Sequence, residues 1–143
     1  MKAEQISIFM ENRPGGLAEI TELLARAAIN IRAMSVADTA DFGIFRVIVD
    51  DTDRCARLLK DSGFTVTRSE MVVVQIPDRP GGLHEIIRIL SGQRINIEYL
   101  YAFITRARES AVIIFRFDEP GRAVKTLHEA GIRVLTGEEV HGA

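Results

Sequence analysis

A segment with one proline and two adjacent glycines occurs twice in the chain, as Asn12-Arg13-Pro14-Gly15-Gly16-Leu17 and as Asp78-Arg79-Pro80-Gly81-Gly82-Leu83. In each copy the proline fixes the backbone φ angle at the start of a predicted helix, and the glycines leave backbone N–H groups unobstructed. The first N–H groups of a helix lack intrahelical acceptors and carry a partial positive charge, so they favour a carboxylate. Both segments are therefore candidate carboxylate-binding loops. The alternative is a tight turn with only a structural role.

Asparagine and aspartate residues in and near these loops extend the predicted chemistry. Asn12 opens the first loop and Asp78 the second, while Asn30 and Asn96 open the next predicted strand of each copy. An Asn side chain donates and accepts hydrogen bonds, which suits a ligand that carries both an ammonium and a carboxylate. Asp78 only accepts, so we expect the two loops to differ in affinity. Asn30 and Asn96 have a structural alternative, because Asn often ends a helix or adopts a left-handed conformation.

Arg13 and Arg79 precede the two prolines and are candidate partners for a ligand carboxylate, since a guanidinium can donate two parallel hydrogen bonds. The alternative is that each arginine is solvated or forms an ion pair between repeat units. The glycines offer a test of the ligand hypothesis. Gly16→Val and Gly82→Val would place a branched side chain over the N–H groups, so we expect binding to fall further than folding stability.

The two loops belong to a longer internal repeat. The offset between the copies is 66 residues from Asn12 and Asp78 onward, and it grows to 68 residues at Gly63 and Gly131. The second copy therefore has two extra residues, which we place in a loop near Thr105 to Glu109. Two copies with one insertion favour duplication of a small domain, because solenoid units are shorter and more numerous. We expect a pair of small domains, at residues 1–68 and 69–143.

Within each copy the hydrophobic period changes in the same order. Alternating apolar residues around Ile6–Met10 predict a strand, and apolar residues at helical spacing over Leu17–Ala28 predict a helix. Two further strands, a shorter helix and a last strand follow, and the second copy repeats this order. The pattern predicts an α+β fold of two tandem ferredoxin-like βαββαβ units, each an antiparallel sheet with helices on one face.

The face of each sheet without helices carries apolar residues that water should not wet: Ile44, Ile48, Val73, Val112 and Ile114. Units of this size bury little surface by themselves. Either the two units cover each other or a second chain does. We therefore predict a homodimer whose interface consists of sheet faces or edge strands.

Composition excludes several classes of protein. With 143 residues, 47% hydrophobic and 27% charged, the chain has the composition of a globular protein. A net charge of −2 provides no basic surface for nucleic acid, and the second copy lacks the aromatic residues of RNA-recognition strands. No apolar run reaches the roughly 18 residues that a membrane span needs. The polar N-terminus and the single cysteine, Cys55, favour a reducing compartment, so we expect the cytoplasm.

The sequence does not predict a catalytic or metal site. The three histidines are expected at the surface, on two helices and in the C-terminal tail at His141, with no nucleophile or carboxylate repeated beside them. Asp50, Asp51 and Asp53 precede a predicted helix and are interpreted as helix caps and dipole partners rather than metal ligands. No glycine-rich phosphate-binding motif is present, and no cofactor is expected.

The loop motifs, together with Ile29-Asn30-Ile31 and Ile95-Asn96-Ile97, resemble the ACT domain over almost the whole chain. The resemblance implies a small-ligand sensor, usually for an amino acid, with the ligand seated between neighbouring ACT units. It also implies that the loop Asn, at Asn12, and the strand Asn, at Asn30 or Asn96, contact the ligand from facing units. Asp78 departs from this pattern. ACT units usually adjoin a catalytic domain, and this sequence shows none, so we expect a protein that resembles a free-standing tandem ACT protein.

The preferred functional hypothesis is a non-catalytic module that binds an amino acid at residues 12–17 and 78–83, with Asn30 and Asn96 as further contacts. Such a module reports ligand occupancy to another protein and regulates amino-acid metabolism. The alternative is the regulatory subunit of a biosynthetic enzyme such as acetolactate synthase, which acts through a catalytic partner. Co-purification with a large catalytic subunit separates the two hypotheses.

Overall fold

A computed structural model of the chain describes residues 2–38, 41–103 and 110–142, so the predicted insertion loop near Thr105 to Glu109 lies outside the described residues. The helices and strands follow the predicted alternation. They are β1 (Ala3–Glu11), α1 (Gly16–Arg26), β2 (Ile31–Asp38), β3 (Phe42–Val49), α2 (Thr52–Asp61), β4 (Thr65–Pro77), α3 (Gly82–Gly92), β5 (Ile97–Ala102), β6 (Ser110–Phe117), α4 (Pro120–Glu129), β7 (Arg133–Val134) and α5 (Gly137–Gly142).

The chain forms two compact units. Glu4–Ser69 make up the N-terminal unit and Glu70–His141 the C-terminal unit. Strand β4 contains residues of both, because it continues from Thr65 to Pro77 without a break. The sequence analysis predicted two separate strands in this region. They form one strand because neither glycine nor proline interrupts the residues between Thr65 and Ile76.

The N-terminal unit is a four-stranded antiparallel arrangement in the order β2-β3-β1-β4. Strand β3 pairs antiparallel with both β1 and β2, so Phe45 lies opposite Ile8 on one side and Val36 on the other. Apolar residues of α1 and α2 pack on one face and form a core with the strands. The buried core residues include Ile6, Ile8, Ile20, Leu24, Phe45, Val47 and Leu59.

The C-terminal unit repeats this arrangement in the order β5-β6-β4-β7, with α3 and α4 over the core. The ring planes of Phe115 and Phe117 lie nearly parallel in that core, with their centroids 5.2 Å apart. These two units confirm the predicted α+β, ferredoxin-like fold. The closing strand β7 is shorter than predicted, since its ladder contains only Arg133 and Val134.

Helix α5 was not predicted, although the sequence contains a local signal for it. The Thr136 hydroxyl accepts a hydrogen bond from the Glu139 N–H, and the Glu139 carboxylate accepts one from the Thr136 N–H. This is a capping box, whose Thr-x-x-Glu pattern can be seen in the sequence. The helix buries His141, so the prediction of a surface histidine in the C-terminal tail was wrong.

The apolar residues predicted on the sheet faces without helices are mostly buried within the single chain. Ile48, Val73, Val112 and Ile114 are all buried, and Ile44 is half-buried. A second chain, one of the two alternatives above, is therefore not needed to bury these residues. The homodimer remains a prediction, and the apolar sheet faces no longer support it.

Candidate functional site

The two glycine-rich loops have the same backbone geometry. Gly15 and Gly81 immediately precede α1 and α3 and have φ angles of 86° and 85°, in the left-handed region that glycine adopts without strain. In the first loop the Arg13 N–H donates to the Glu11 carbonyl and the Gly16 N–H donates to the Arg13 carbonyl, at 3.0 and 3.2 Å. The equivalent pairs of the second loop have distances of 3.0 Å. The predicted strand-to-helix turn is therefore present in both units.

The glycines that begin the helices, Gly16 and Gly82, differ in the space around them. A Cβ atom on Gly82 would lie 2.3 Å from the Pro77 carbonyl oxygen, closer than non-bonded atoms approach. A Cβ atom on Gly16 would lie 3.4 Å from the Glu11 carbonyl oxygen, an ordinary contact. Gly82 is thus required by the fold. The expectation that Gly82→Val mainly affects ligand binding is therefore wrong.

The first turn of α1 presents backbone donors. The Glu19 N–H donates to the Gly15 carbonyl at 3.0 Å, while the N–H groups of Leu17 and Ala18, in the first turn, have no acceptor within the helix. No side chain caps this helix end, because the cap position is occupied by Gly15. The partial positive charge at the helix N-terminus therefore faces solvent beside the loop.

A cavity of about 290 Å³ adjoins these donors in the N-terminal unit. Loop residues and the first turn of α1 form one side, and β1, β2 and β3 contribute the rest. Leu17 and Val36 remain 39% and 50% exposed, so two large apolar side chains are open to solvent at this cavity. The lining residues are Met10, Glu11, Asn12, Arg13, Pro14, Gly15, Leu17, Ala18, Val36 and Gly43.

A second cavity, of about 330 Å³, lies on the other side of the same loop. It shares Met10, Glu11 and Arg13 with the first cavity, and the turn between α2 and β4 contributes Ser62–Thr65. The loop of the N-terminal unit therefore separates two cavities. Only the first includes Leu17 and Ala18, whose N–H groups favour a carboxylate.

The loop arginines form ion pairs within their own units. The Arg13 guanidinium lies 3.0 Å from the Glu19 carboxylate and 3.7 Å from that of Glu11, and Arg79 lies 3.2 Å from the Glu85 carboxylate. These side chains are about half exposed, so the pairs contribute little to stability. A ligand carboxylate could therefore replace a glutamate as the partner of Arg13 at small cost.

The structure places the candidate asparagines at opposite ends of β3. The Asn12 N–H donates to the Asp41 carbonyl just before β3, and the Asn30 N–H donates to the Asp50 carboxylate just after it, at 3.1 and 3.0 Å. The strand has 8 residues, which corresponds to roughly 25 Å at about 3.3 Å per residue. One unit by itself therefore does not bring Asn12 and Asn30 together.

Asp50 and Asp118 hold the second strand of each unit to the following helix. The Asp50 carboxylate accepts from the N–H groups of Asn30 and Asp51, at 3.0 and 2.9 Å. The Asp118 carboxylate accepts in the same way from the N–H groups of Asn96 and Glu119, at 3.2 and 2.9 Å. The aspartate next in sequence, Asp51, caps α2 by accepting from the Arg54 N–H, which confirms the predicted capping role.

Val36 and Gly43 are cavity residues that the sequence analysis missed. Gly43 lies inside β3 and pairs with Met10 of β1. A glycine inside a strand often marks a close approach of another group, and this signal could have identified Gly43. Val36 gave no signal, because an apolar residue on an edge strand usually belongs to the core.

The described ranges 2–38, 41–103 and 110–142 contain no group of three or more His, Cys, Asp or Glu residues placed to hold a metal ion. They also contain no helix long and apolar enough to cross a membrane. Burial raises the pKa of the Cys55 thiol from 9.0 to about 11, with a further contribution from Asp50 and Asp51. The thiol is therefore protonated at neutral pH, in the form that does not attack electrophiles.

A family model described as an ACT domain pair matches residues 1–141. The chain belongs to the ACT-domain-pair family. This confirms the resemblance inferred from the loop motifs, and it identifies the two compact units as ACT units of a regulatory domain family. No curated protein matches the sequence significantly.

Solved structures give the same fold. Protein BT0572 from Bacteroides thetaiotaomicron is 36% identical with a TM-score of 0.93, and the match covers 100% of this chain and 98% of that one. The regulatory subunit of aspartate kinase from Thermus thermophilus has a TM-score of 0.67 at 15% identity, over 91% and 93% of the chains. Aspartate kinase from Clostridium acetobutylicum has a TM-score of 0.54 at 17% identity, over 90% of this chain and 33% of that one. At these low identities the kinases are similar in fold only.

Proposed function

We propose that this ACT pair is a non-catalytic sensor that binds an α-amino acid at the β1–α1 loop of its N-terminal unit. The cavity of about 290 Å³ beside the N–H groups of Leu17 and Ala18 carries the proposal. It places donors for a carboxylate, oxygen atoms for an ammonium and apolar walls within one space. An α-amino acid carries these three parts on one carbon atom.

The ligand carboxylate lies toward the start of α1 in this proposal. It accepts hydrogen bonds from the Leu17 and Ala18 N–H groups, and Arg13 turns from its glutamate partners toward it. The ammonium faces the Asn12 side-chain oxygen and the Glu11 carboxylate, which line the same cavity. Charge-assisted hydrogen bonds contribute about 1.5–3 kcal/mol each, less the free energy lost on association. We therefore expect a Kd between about 1 μM and 1 mM.

The loop of the C-terminal unit, residues 78–83, is proposed as a second and weaker site. Its backbone turn matches that of the first loop, but Asp78 replaces Asn12 and only accepts hydrogen bonds. A carboxylate near a ligand carboxylate repels it. Asn30 and Asn96 remain proposed contacts. Because each lies at the far end of its own sheet, it would reach a ligand held by another ACT unit.

The regulatory output is proposed to pass through another protein. A homodimer in the cytoplasm that acts on an enzyme of amino-acid metabolism fits the membership in a regulatory domain family. The similarity to the regulatory subunit of aspartate kinase supports the fold of such a subunit and does not identify a partner. The alternative, a regulatory subunit of an enzyme such as acetolactate synthase, also requires a catalytic subunit as its binding partner. Affinity purification of the tagged chain from its own cells, with and without amino acids, would identify it.

A thermal-shift titration tests the ligand proposal. The standard amino acids are compared with their carboxamides and with the corresponding amines, which lack the carboxylate. At 100 times Kd, a bound ligand stabilises the folded state by about 2.7 kcal/mol, so at about 2–4 °C per kcal/mol we expect a melting-temperature rise of roughly 5–11 °C. The carboxamides and amines should produce no rise. Absence of a shift with any amino acid would overturn the proposal, and equal shifts with carboxamides would overturn the carboxylate site.

A further inference from the structure

The walls of the N-terminal cavity identify the kind of ligand side chain that it can hold. Leu17 and Val36 are exposed large apolar residues beside it, and the apolar part of Met10 adds a third wall. In the C-terminal unit, Leu83 is the counterpart of Leu17 and packs against the core. Leu17 is therefore more exposed than its half-buried counterpart Leu83, and the N-terminal unit leaves more apolar surface uncovered at this position. An apolar group of a ligand would remove this surface from water, and this burial favours its binding.

Gly43 determines how much room remains between these walls. It lies opposite Met10 in the β1–β3 register. A Cβ atom on Gly43 would lie 3.0 Å from Met10 Cε and 3.5 Å from Met10 Cγ, so the Met10 side chain extends across the glycine. Any side chain at position 43 would displace the end of Met10. The cavity that both residues line is one space that the displaced Met10 side chain can enter, and the cavity of about 330 Å³, which Met10 also lines, is another.

The internal repeat supplies a comparison for this pair. Ile76 and Ala111 occupy the positions of Met10 and Gly43, and they pair in the same way across β4 and β6. Ala111 is half-buried and packs against the core of the C-terminal unit. The C-terminal unit thus carries a side chain on both strands at this position. In the N-terminal unit a flexible methionine lies over a glycine, and an unbranched thioether can adjust its position to an occupant.

We infer that the N-terminal ACT unit selects α-amino acids with an apolar side chain, and that Gly43 and Met10 set the largest side chain it accepts. The inference rests on the proposed amino-acid site and specifies its ligand class. The charged groups of the cavity are Glu11 at the end of β1 and Arg13 in the loop, beside which the ammonium and carboxylate of the ligand bind. A polar ligand side chain would instead lie against Met10, Leu17 and Val36 and lose its hydrogen bonds to water.

Isothermal titration of near-isosteric pairs tests the apolar preference. Valine is compared with threonine, and leucine with asparagine, on the wild-type chain. We expect the apolar member of each pair to bind roughly tenfold tighter, because an unpaired polar group is costly next to apolar walls. Equal affinity within both pairs would overturn the apolar preference. Absence of binding by every amino acid would instead overturn the proposed function, so the two failures are distinguishable.

A glycine-to-alanine substitution tests the size limit. Gly43→Ala is expected to weaken leucine binding at least fivefold more than alanine binding, since the displaced Met10 side chain fills the space for the larger ligand. Ala111→Gly is the matched control in the repeat and should leave this ratio unchanged. A uniform loss of affinity for both ligands, with the fold intact by circular dichroism, would overturn the size limit.

If Gly43→Ala unfolds the protein, a second variant in strand β1, at Met10 opposite Gly43, tests the same pair. Met10→Ala shortens the side chain that lies over Gly43, so it should shift the ratio of affinities toward the larger ligand. Ile76→Ala is its control in the C-terminal unit and should not shift this ratio. An unchanged ratio in Met10→Ala would overturn the role of the Met10 and Gly43 pair.

Discussion

Glycine residues at equivalent positions of the repeat have different physical roles. Gly16 leaves space that a methyl group could occupy at an ordinary contact distance, and it lines the cavity of about 330 Å³ rather than the candidate ligand cavity. Gly82 lies so close to the Pro77 carbonyl that a Cβ atom cannot be placed without a shift of the backbone. The same motif therefore has a purely steric reason for glycine in the C-terminal unit, and a weaker one in the N-terminal unit.

A pair of alanine variants tests this difference. Gly82→Ala forces the start of α3 away from the end of β4, and we expect it to lower the free energy of unfolding by about 1–3 kcal/mol, as overpacking does. Gly16→Ala should change it by less than about 1 kcal/mol. Urea denaturation followed by circular dichroism measures both. Equal losses in the two variants would contradict the steric explanation.

At the scale of the elements, a carboxylate joins each second strand to the helix that follows the third strand. Asp50 and Asp118 each accept two backbone N–H groups, one from the residue before the strand and one from the residue before the helix. Such bonds satisfy donors that neither the sheet nor the helix satisfies. They also hold Asn30 and Asn96, the proposed ligand contacts, at fixed positions of the backbone.

Replacing these carboxylates is expected to destabilise the units. Asp50→Ala and Asp118→Ala each remove the acceptor of two exposed hydrogen bonds, so we expect a loss of about 1–2 kcal/mol in the free energy of unfolding. Asp50→Asn keeps a side-chain oxygen and should recover at least half of the loss. Thermal and urea unfolding measure these changes. An Asn variant as unstable as the Ala variant would show that the charge, rather than the hydrogen bonds, is responsible.

The sequence predicted the elements well where the period of apolar residues decided them. The strand around Ile8 and the helix around Ile20 follow from the spacing of the apolar residues that form the core. The continuity of β4 follows from the absence of glycine and proline between Thr65 and Ile76, which periodicity does not report, and the burial of His141 depends on tertiary packing. The loops were predicted because proline and glycine act locally. The cavity was not, since Val36 and Gly43 lie beside the loop only after the strands have paired.

At the scale of the whole molecule, duplication has produced two ACT units with the same turn and different surroundings. The N-terminal loop has Asn12 and an adjacent cavity with exposed Leu17. The C-terminal loop has Asp78, and its Leu83 packs against the core. Both units thus keep the backbone turn, while the side chains that would discriminate between ligands differ. We expect ligand binding to be dominated by the N-terminal unit.

Exchange of the two loop residues tests this asymmetry. In Asn12→Asp, a carboxylate that only accepts hydrogen bonds replaces a side chain that also donates, and it repels a ligand carboxylate within about 4 Å. We expect the tighter site to weaken by about 1–2 kcal/mol, which is roughly a 5- to 30-fold rise in Kd. Asp78→Asn should strengthen the weaker site by a similar factor and leave the tighter site unchanged. Isothermal titration of the wild type and both variants measures each site.

The double exchange Asn12→Asp with Asp78→Asn separates the loop residue from its surroundings. If positions 12 and 78 alone decide affinity, the tighter site moves to the C-terminal unit. If the cavity walls contribute as proposed, the C-terminal site stays weaker than the wild-type N-terminal site, because Leu83 and Ala111 already pack against the core. We expect the second result. Two identical sites in the wild type, unmoved by any exchange, would show that neither residue contacts the ligand.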